Sequence, residues 1–479
     1  MVKNKNDFKN TKMKTKSINH IILLGLVASI GFTSCQVTNK YKSPDIDTTD
    51  LYREQAAVDT NTIANIPWQT YFSDPILQAY IDEGLQKNYD LQIAVSRIKQ
   101  AEANLSMAKA AYFPDVSLVA QAEHLRNSNG SNGKDVLGYH STNYTLGVSA
   151  SWELDVWGKL NRQSRAKYAQ FLNSHAYKDL IRTSLIANIA TSYYTLLALD
   201  EQLRITEETV GLLKESTQTM QSLMDAGILN GASVEQSKSL QYSTEVTIPT
   251  IKSQIRQTEN SICILLGRKP GNIDRSTMDR QIIAEDLNTG IPAQLLSKRP
   301  DVKQAELAFR SAFELTYAAK ASFYPSIRLS SGTVGYGANT LSNFFKPENI
   351  FANIIGGLTQ PLFARKQLIG NLKIAKAQQE EALLSFEKTV LAAGAEVSDI
   401  LYSYQSSVDK NPIRDKQVES TATAVRFTKE LLKAGEANYT EVLNAEQSLL
   451  QSQLGKVSDK LEQLQYSVNL YRALGGGSE

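Results

Sequence analysis

Two cysteines, Cys35 and Cys263, and four histidines are all that 479 residues contain of those types. No pair among His20, His124, His140, His175 and the cysteines has a metal-ligand spacing, so no metal site is assigned. HExxH, GxGxxG, a P-loop and G-x-S-x-G are missing as well. No residue is therefore given a catalytic role: the protein reads as not an enzyme, and no cofactor is expected. An excess of basic charge is lacking too. The chain has 51 Lys and Arg against 49 Asp and Glu, but residues 1–34 hold six of the lysines and one acid, Asp7, which leaves 45 basic and 48 acidic residues in the rest. A nucleic-acid partner needs a basic face, and this balance excludes one. Helix breakers are scarce where it matters most: residues 159–224 contain no proline and one glycine, Gly211.

A lysine-rich start is followed by the apolar run Ile21–Phe32, twelve residues long and too short to cross a bilayer as a helix. Residues 1–34 read as an export signal. Phe32-Thr33-Ser34-Cys35 is similar to a bacterial lipobox, with Phe32 where Leu is commonest, so Cys35 is the expected lipidation site and mature N-terminus. An ordinary secretory signal with an incidental cysteine is the competing reading. Lipidation leaves Cys263 without a disulfide partner, and its neighbours Ile262, Ile264 and Leu265 make it a small core residue. Residues 35–73, rich in Asn, Thr, Asp and Pro, read as an extended tether that docks through Trp68, Tyr71 and Phe72.

The remainder is a duplication. AKAAYFP at 108–114 returns as AKASFYP at 319–325, and each proline ends a helical pattern and opens a period-two one. The first repeat, 74–290, opens at Asp74-Pro75, an acidic N-cap with proline at the first helical position, and Leu77 to Ile98 keep helical spacing toward Tyr112. Strands are expected at about 115–125 and 142–153, around a polar loop at 126–141, and in the second repeat, 291–475, at about 326–337 and 350–361. Tyr144, Leu146, Val148 and Trp152 share one parity and are the expected lipid-facing or interfacial residues. A small soluble sheet is the competing reading of the alternation. Long helices follow each hairpin, over about 158–224 and 233–266, and over 367–434 and on to Leu474. In the last, Leu443, Leu450, Leu454, Val457, Leu461, Leu464, Val468 and Tyr471 sustain a heptad. Helices of roughly 100 Å must run against each other, as antiparallel hairpins with tips at about 225–233 and 434–441. Ser233 and Thr440 suit the N-caps there. The prolines are 211 residues apart, and the tip glycines Gly227 and Gly435 are 208 apart. Residues 476–479 read as a frayed tail.

Several ordered stretches together resemble the TolC-like outer-membrane efflux proteins, in their OprM/NodT-type lipoprotein branch. They are residues 68–105, with Trp68 before Asp74-Pro75 and Asn88 before Asp90-Leu91, then Tyr112–Pro114, SWELDVWGKL at 151–160, LLSKRPDVKQAE at 295–306, and TQPLFARKQL at 359–368. Ala434-Gly435 to Glu441-Val442-Leu443 is similar to the family's tip motif, with Glu441 where Asp is usual. The resemblance implies an all-α coiled-coil barrel joined to a transmembrane β-barrel. Four strands per chain and three chains make a twelve-stranded barrel in the outer membrane, above a long periplasmic α-helical tube. It implies a homotrimer in outer-membrane lipid, a periplasmic adaptor and an inner-membrane transporter of the RND type. The function implied is passive export through the exit duct of a tripartite efflux system. Under the same resemblance Gly227, Ser233, Val234, Gly435, Thr440, Val442 and Leu443 are candidate adaptor-docking residues, and Arg426, Glu430, Glu436 and Glu441 candidates for the aperture. A type I secretion or heavy-metal export channel has the same fold, and a lipid-anchored coiled-coil scaffold without a pore is the alternative of another class.

Overall fold

The pairing and capping of the backbone show why each segment stops where it does. The computed structural model describes residues 39–49, 51–53, 62–126, 140–282 and 295–478. Cys35 and the signal segment, most of the polar loop at 126–141, and 283–294 with the expected start of the second repeat at residue 291 lie outside them. The chain divides into two units, one centred on Ala108–Ala166 and Ala312–Gln378 and the other holding Pro44–Met107, Lys167–Ser311 and Gln379–Glu479.

The first unit carries β1 (Asp115–Arg126), β2 (His140–Leu154), β3 (Ser326–Ala338) and β4 (Ile350–Thr359), one antiparallel sheet in the order β1-β2-β3-β4. The duplication extends to the register. Asp115 pairs with Ser151 and Leu118 with Val148 in the first hairpin; Ser326 pairs with Thr359 and Leu329 with Gly356 in the second. One irregularity interrupts β3, between Leu329 and Ser331, and shifts its pairing with both neighbours. Arg162 anchors the start of the helix after β2. It is buried against Glu314 at 2.6 Å, donates to the Asn39 carbonyl at 2.9 Å, and lies over the Tyr317 ring at 5.1 Å.

The helices longer than one turn are α1 (Pro75–Lys87), α2 (Tyr89–Ala110), α3 (Lys159–Asp225), α4 (Gly231–Glu245), α5 (Thr247–Leu265), α6 (Pro300–Ala321), α7 (Gln367–Ala434) and α8 (Tyr439–Ala473). Two segments that sequence spacing joins are split. Asn88 leaves the helical region with ψ 131° and separates α1 from α2; its side-chain oxygen accepts from the Leu91 amide at 3.0 Å, and so it caps the second helix. Val246 separates α4 from α5, because Pro249 has no N–H to return to Glu245 and its ring crowds that carbonyl. Pro412, by contrast, lies inside the unbroken α7. The caps at the tips are also corrected: Asn230 and Asn438 hold them, not Ser233 and Thr440. Each asparagine accepts from the amide three residues on, Ser233 at 3.1 Å and Glu441 at 3.2 Å, because an Asx oxygen at that extended position reaches the exposed N–H groups of the first turn.

All four helix ends marked by glycine close in one way. At Gly227, Gly267, Gly435 and Gly475 φ is between +67° and +91°, and in each the amide beyond the glycine bonds a carbonyl five residues back, the Schellman arrangement. Two of these ends are seats. A Cβ on Gly267 would lie 2.7 Å from the Lys87 carbonyl oxygen, and one on Gly475 2.6 Å from that of Lys298. Beside them Asn88 donates to the Leu265 carbonyl at 2.9 Å and Arg299 to that of Ala473 at 2.8 Å. The second unit's core gathers around these seats, with Leu77, Ile81, Ile189, Leu196, Ile262, Val302, Leu470 and Leu474. Tyr71 docks the tether there, stacked on Tyr471 at 4.3 Å, with Trp68 and Phe72 buried alongside. Asp74 is buried; it caps α1 through the Ile76 amide and accepts from Tyr193 at 2.9 Å, Gln281 at 2.8 Å, and Ser276. Burial raises its pKa, but these hydrogen bonds outweigh it and hold the carboxyl below its ordinary value.

Gly267→Ala and Gly475→Ala are expected to destabilise by about 2–4 kcal/mol each, from the left-handed backbone and the carbonyl contact together. Gly227→Ala and Gly435→Ala, where nothing lies within 4 Å, should cost only about 1–2 kcal/mol; thermal unfolding of detergent-solubilised protein ranks the four. Asp74 contributes stability above the ordinary aspartate pKa that is lost as pH falls toward its lowered folded value. The stability gap between the parent and Asp74→Asn, which keeps a capping oxygen, should therefore narrow in unfolding curves taken below about pH 4.

Candidate functional site: a one-sided sheet and two helix tips

The sheet sorts its side chains by face. Because pairing brings residues of one face together, the register places Val116, Leu118, Ala120 and Ala122 of β1 with Tyr144, Leu146, Val148, Ala150, Trp152 and Leu154 of β2. It adds Ile327, Leu329, Val334 and Tyr336 of β3, and Ile350, Ala352, Ile354 and Leu358 of β4. This apolar face is open: Leu118 is 74% exposed, Ile354 72% and Leu358 67%. The opposite face carries Ser117, Gln121, Glu123, Asn143, Thr145, Ser149, Arg328, Thr333 and Asn353. Glycine lets the strands approach there: Gly147 pairs with Gly335, and a Cβ on Gly147 would sit 2.9 Å from the Val334 oxygen. At its lower end Glu153 meets Arg328 at 2.8 Å and also pairs with Lys159.

The expected face residues Tyr144, Leu146, Val148 and Trp152 stand together on the apolar face. Trp152 has a second task that spacing did not show. Its indole N–H donates to the Tyr112 carbonyl at 2.8 Å, and that of Trp157 to the Pro325 carbonyl at 2.7 Å, so each tryptophan holds one of the two proline turns. His124 and His140 stack at 5.5 Å on the apolar face at its loop end, with His124 bonded to Thr142 at 2.9 Å. His175 packs edge-on against Phe171. Among the described residues no three His, Cys, Asp or Glu converge as metal ligands, and Cys263 is buried with its thiol toward the Gly271 carbonyl. No helix among the described residues is long and apolar enough to cross a membrane.

At the tips the candidates separate into two groups. Gly227, Gly435, Thr440, Arg426, Glu430, Glu436 and Glu441 are exposed, and Ser233 partly so. Val234, Val442 and Leu443 are buried; Val234 and Leu443 join Met220 and Tyr439 in a small core that closes the tip. They hold the tip's shape, and the surface a partner meets belongs to the others and to Ile228, which is 68% exposed. Three aperture candidates have local partners: Arg426 lies over the Phe427 ring at 5.2 Å, Glu430 pairs with Lys433 at 2.9 Å, and Glu441 accepts from the Asn438 amide group at 3.1 Å. Sequence reasoning missed the polar layer next to this core, where buried Glu446 pairs with Lys429 at 2.8 Å and Thr217 meets Ser237 at 2.7 Å. The signal was in the heptad: the one seven-residue step, from Leu443 to Leu450, skips the slot that Glu446 fills.

An exposed apolar belt with a polar, glycine-lined reverse and two unpaired edges defines a segment of a transmembrane β-barrel carried on long helices. The chain belongs to the outer membrane efflux protein family, whose model matches twice, over residues 80–268 and 291–476. It is 30% identical over 419 residues to the pyoverdine export outer membrane protein OpmQ of Pseudomonas putida, covering 86% of this chain and 88% of that one. With the cation efflux system protein CusC of Escherichia coli strain K12 it shares 26% over 459 residues, 95% of this chain and 99% of that one. The solved open state of the Neisseria gonorrhoeae MtrE outer membrane channel superposes with a TM-score of 0.82 at 25% identity, over 93% of this chain and 99% of that one. The protein is an outer-membrane channel and not an enzyme.

A charge on the apolar face should exclude the sheet from lipid at a cost of about 2–4 kcal/mol. Leu118→Arg and Ile354→Arg are expected to deplete the protein from the outer-membrane fraction, whereas Gln121→Arg on the polar face leaves it there; membrane fractionation with immunoblotting distinguishes them.

Proposed function

We propose that the chain is one third of a passive exit duct. Three copies, four strands each, close a twelve-stranded barrel, and their helices form the periplasmic tube that receives small molecules from an adaptor and an energised inner-membrane transporter of the RND type. The observation that carries this is the exposed one-sided apolar sheet with open edges at β1 and β4. In hydrocarbon an unpaired edge costs several kcal/mol for each lost hydrogen bond, so a single chain is not a membrane-stable barrel. The polar reverse face supplies a wet wall, and the work of transport belongs to the pump. A lipid on Cys35 tethers each copy to the inner leaflet. Gly227, Ser233, Gly435, Thr440 and Ile228 form the surface that meets the adaptor, over the core of Val234, Val442 and Leu443. Arg426, Glu430, Glu436 and Glu441 are the charges proposed at the aperture, where a change of helix register opens the tip.

Purified protein in planar bilayers should conduct as a trimer, and a cysteine replacing Ile228 should crosslink to the adaptor in cells while one replacing Val234 does not. Recovery of monomer in the soluble periplasmic fraction, or trimers without conductance even after charge-neutralising changes at Glu430 and Glu436, defeats the duct reading.

A further inference from the structure

We propose that copies of this chain join along a β4-to-β1 seam of one definite register, with Leu358 opposite Ala120 of the neighbouring copy, and that Arg365 holds there the place that Trp157 holds within the chain. The inference rests on the duct reading and adds the identity of the contacts that close it.

The two repeats map onto each other by adding 211 to residue numbers before the first hairpin's loop and 208 after it. Observed contacts test that mapping. Asp115–Ser151 becomes Ser326–Thr359, and both pairs exist. The bond from Trp152 to the Tyr112 carbonyl becomes one from Gln360 to the Phe323 carbonyl, and that bond is present at 3.1 Å. Gly267 against Lys87 becomes Gly475 against Lys298, again observed.

One contact of the first repeat has no image inside the chain. Trp157 donates to the Pro325 carbonyl and stacks on Tyr324 at 5.0 Å, which fastens the end of β2 to the start of β3. Its image fastens Arg365, beyond the end of β4, to Phe113 and Pro114 at the start of a β1. Within one chain β1 and β4 are opposite edges of the sheet, so only a second copy can supply that turn. The residues concerned are bare: Phe113 is 73% exposed, Leu362 94% and Phe363 85%. An arginine suits the position, because a planar guanidinium both donates to a carbonyl and stacks on an aromatic ring.

The same mapping sets the register. Trp152 opposite Leu329 becomes Gln360 opposite Leu118 of the neighbour. β1 pairs with β2 without the irregularity found in β3, so the seam continues unshifted through Leu358 with Ala120, Gly356 with Ala122 and Ile354 with His124. Every one of these pairs joins apolar face to apolar face. A slip of one residue would set each against the polar face.

The test uses the full-length lipoprotein with Cys263→Ser, and first confirms outer-membrane location and SDS-resistant trimers. Residues directly opposite are about 4.5–5.5 Å apart at Cα, within disulfide reach, and wide and narrow pairs alternate, so both types are sampled. Leu358→Cys with Ala120→Cys and Thr359→Cys with Val119→Cys bracket the two. At least one should form dimer and trimer ladders on oxidation, several-fold more than the slipped combinations of Leu358→Cys with Gln121→Cys or with Ala122→Cys. Arg365→Ala should lower the temperature at which trimers dissociate in SDS, and Arg365→Trp, the first repeat's own residue, should keep it. Intact trimers that crosslink best at a slipped pair, or that are indifferent to Arg365→Ala, overturn this proposal and leave the duct standing. Absence of outer-membrane trimers from the parent overturns the duct reading and the seam with it.

Discussion

Every backbone amide and carbonyl that enters hydrocarbon must find a partner in protein, and the sheet of this chain leaves two rows of them open. From that constraint the rest follows in order. The edges of β1 and β4 require other copies. The closed wall that results has a lipid side and a water side, so side chains must sort by face: one face is apolar from Val116 to Leu154 and from Ile327 to Leu358, and the reverse is mostly polar, with Val119, Leu125, Phe351 and Ile355 as its apolar members. The water side of a narrow, curved wall is crowded, which is where Gly147 faces Gly335. The long helices pack along one another, with the main core at the seats and a small one at the tips.

The seats show how duplication was kept where geometry leaves no freedom. At Gly267 and Gly475 a helix end must both reverse and touch a passing carbonyl, and no side chain fits either demand. The groups that bind beside them were free to change provided one donor reached the same place. Asn88 does so in one repeat and Arg299 in the other, the second steadied by Asp301 and Glu396 at 2.7 Å each. A carbonyl needs a donor; it does not specify which.

Much of this was legible from residue order. Period-two runs marked the strands, a stretch whose one breaker is Gly211 marked α3, and the shared spacing of Pro114, Gly227, Pro325 and Gly435 marked the repeat and with it α7, which runs on through Gly370, Gly394 and Pro412; each of these signals is a local backbone requirement. The misreadings have a common origin. Asn88 sits in a run with helical spacing, and Pro249 stands one turn into a helix that periodicity continues; both act through backbone groups that hydrophobic pattern does not report. At the tips Ser233 and Thr440 had the right chemistry for a cap, but the chain turns three residues earlier at the first and two at the second, where Asn230 and Asn438 reach the free amides. Val234, Val442 and Leu443 were visible as tip residues, yet which way a tip residue faces depends on three helices meeting, and that is not in any one segment.

Where the repeats differ, the difference has a physical direction. Pro249 breaks the returning helix of the first repeat at a position that Val457 occupies in the unbroken α8, and the pair of buried Glu446 with part-exposed Lys429 near the second tip is matched in the first repeat by Lys238 and Gln221. Such a pair contributes little net stability, but a register that parted it would leave the Glu446 carboxylate buried without its cation. The second hairpin thus has a continuous returning helix and a charge pair near its tip, while the first interrupts its returning helix at Val246, has an uncharged Thr217–Ser237 contact near its tip, and is held across by Lys214–Glu245 at 2.9 Å and Lys252–Glu207 at 2.8 Å. Ion pairs thus flank the break at Val246 on both sides and tie the returning helix to α3 there.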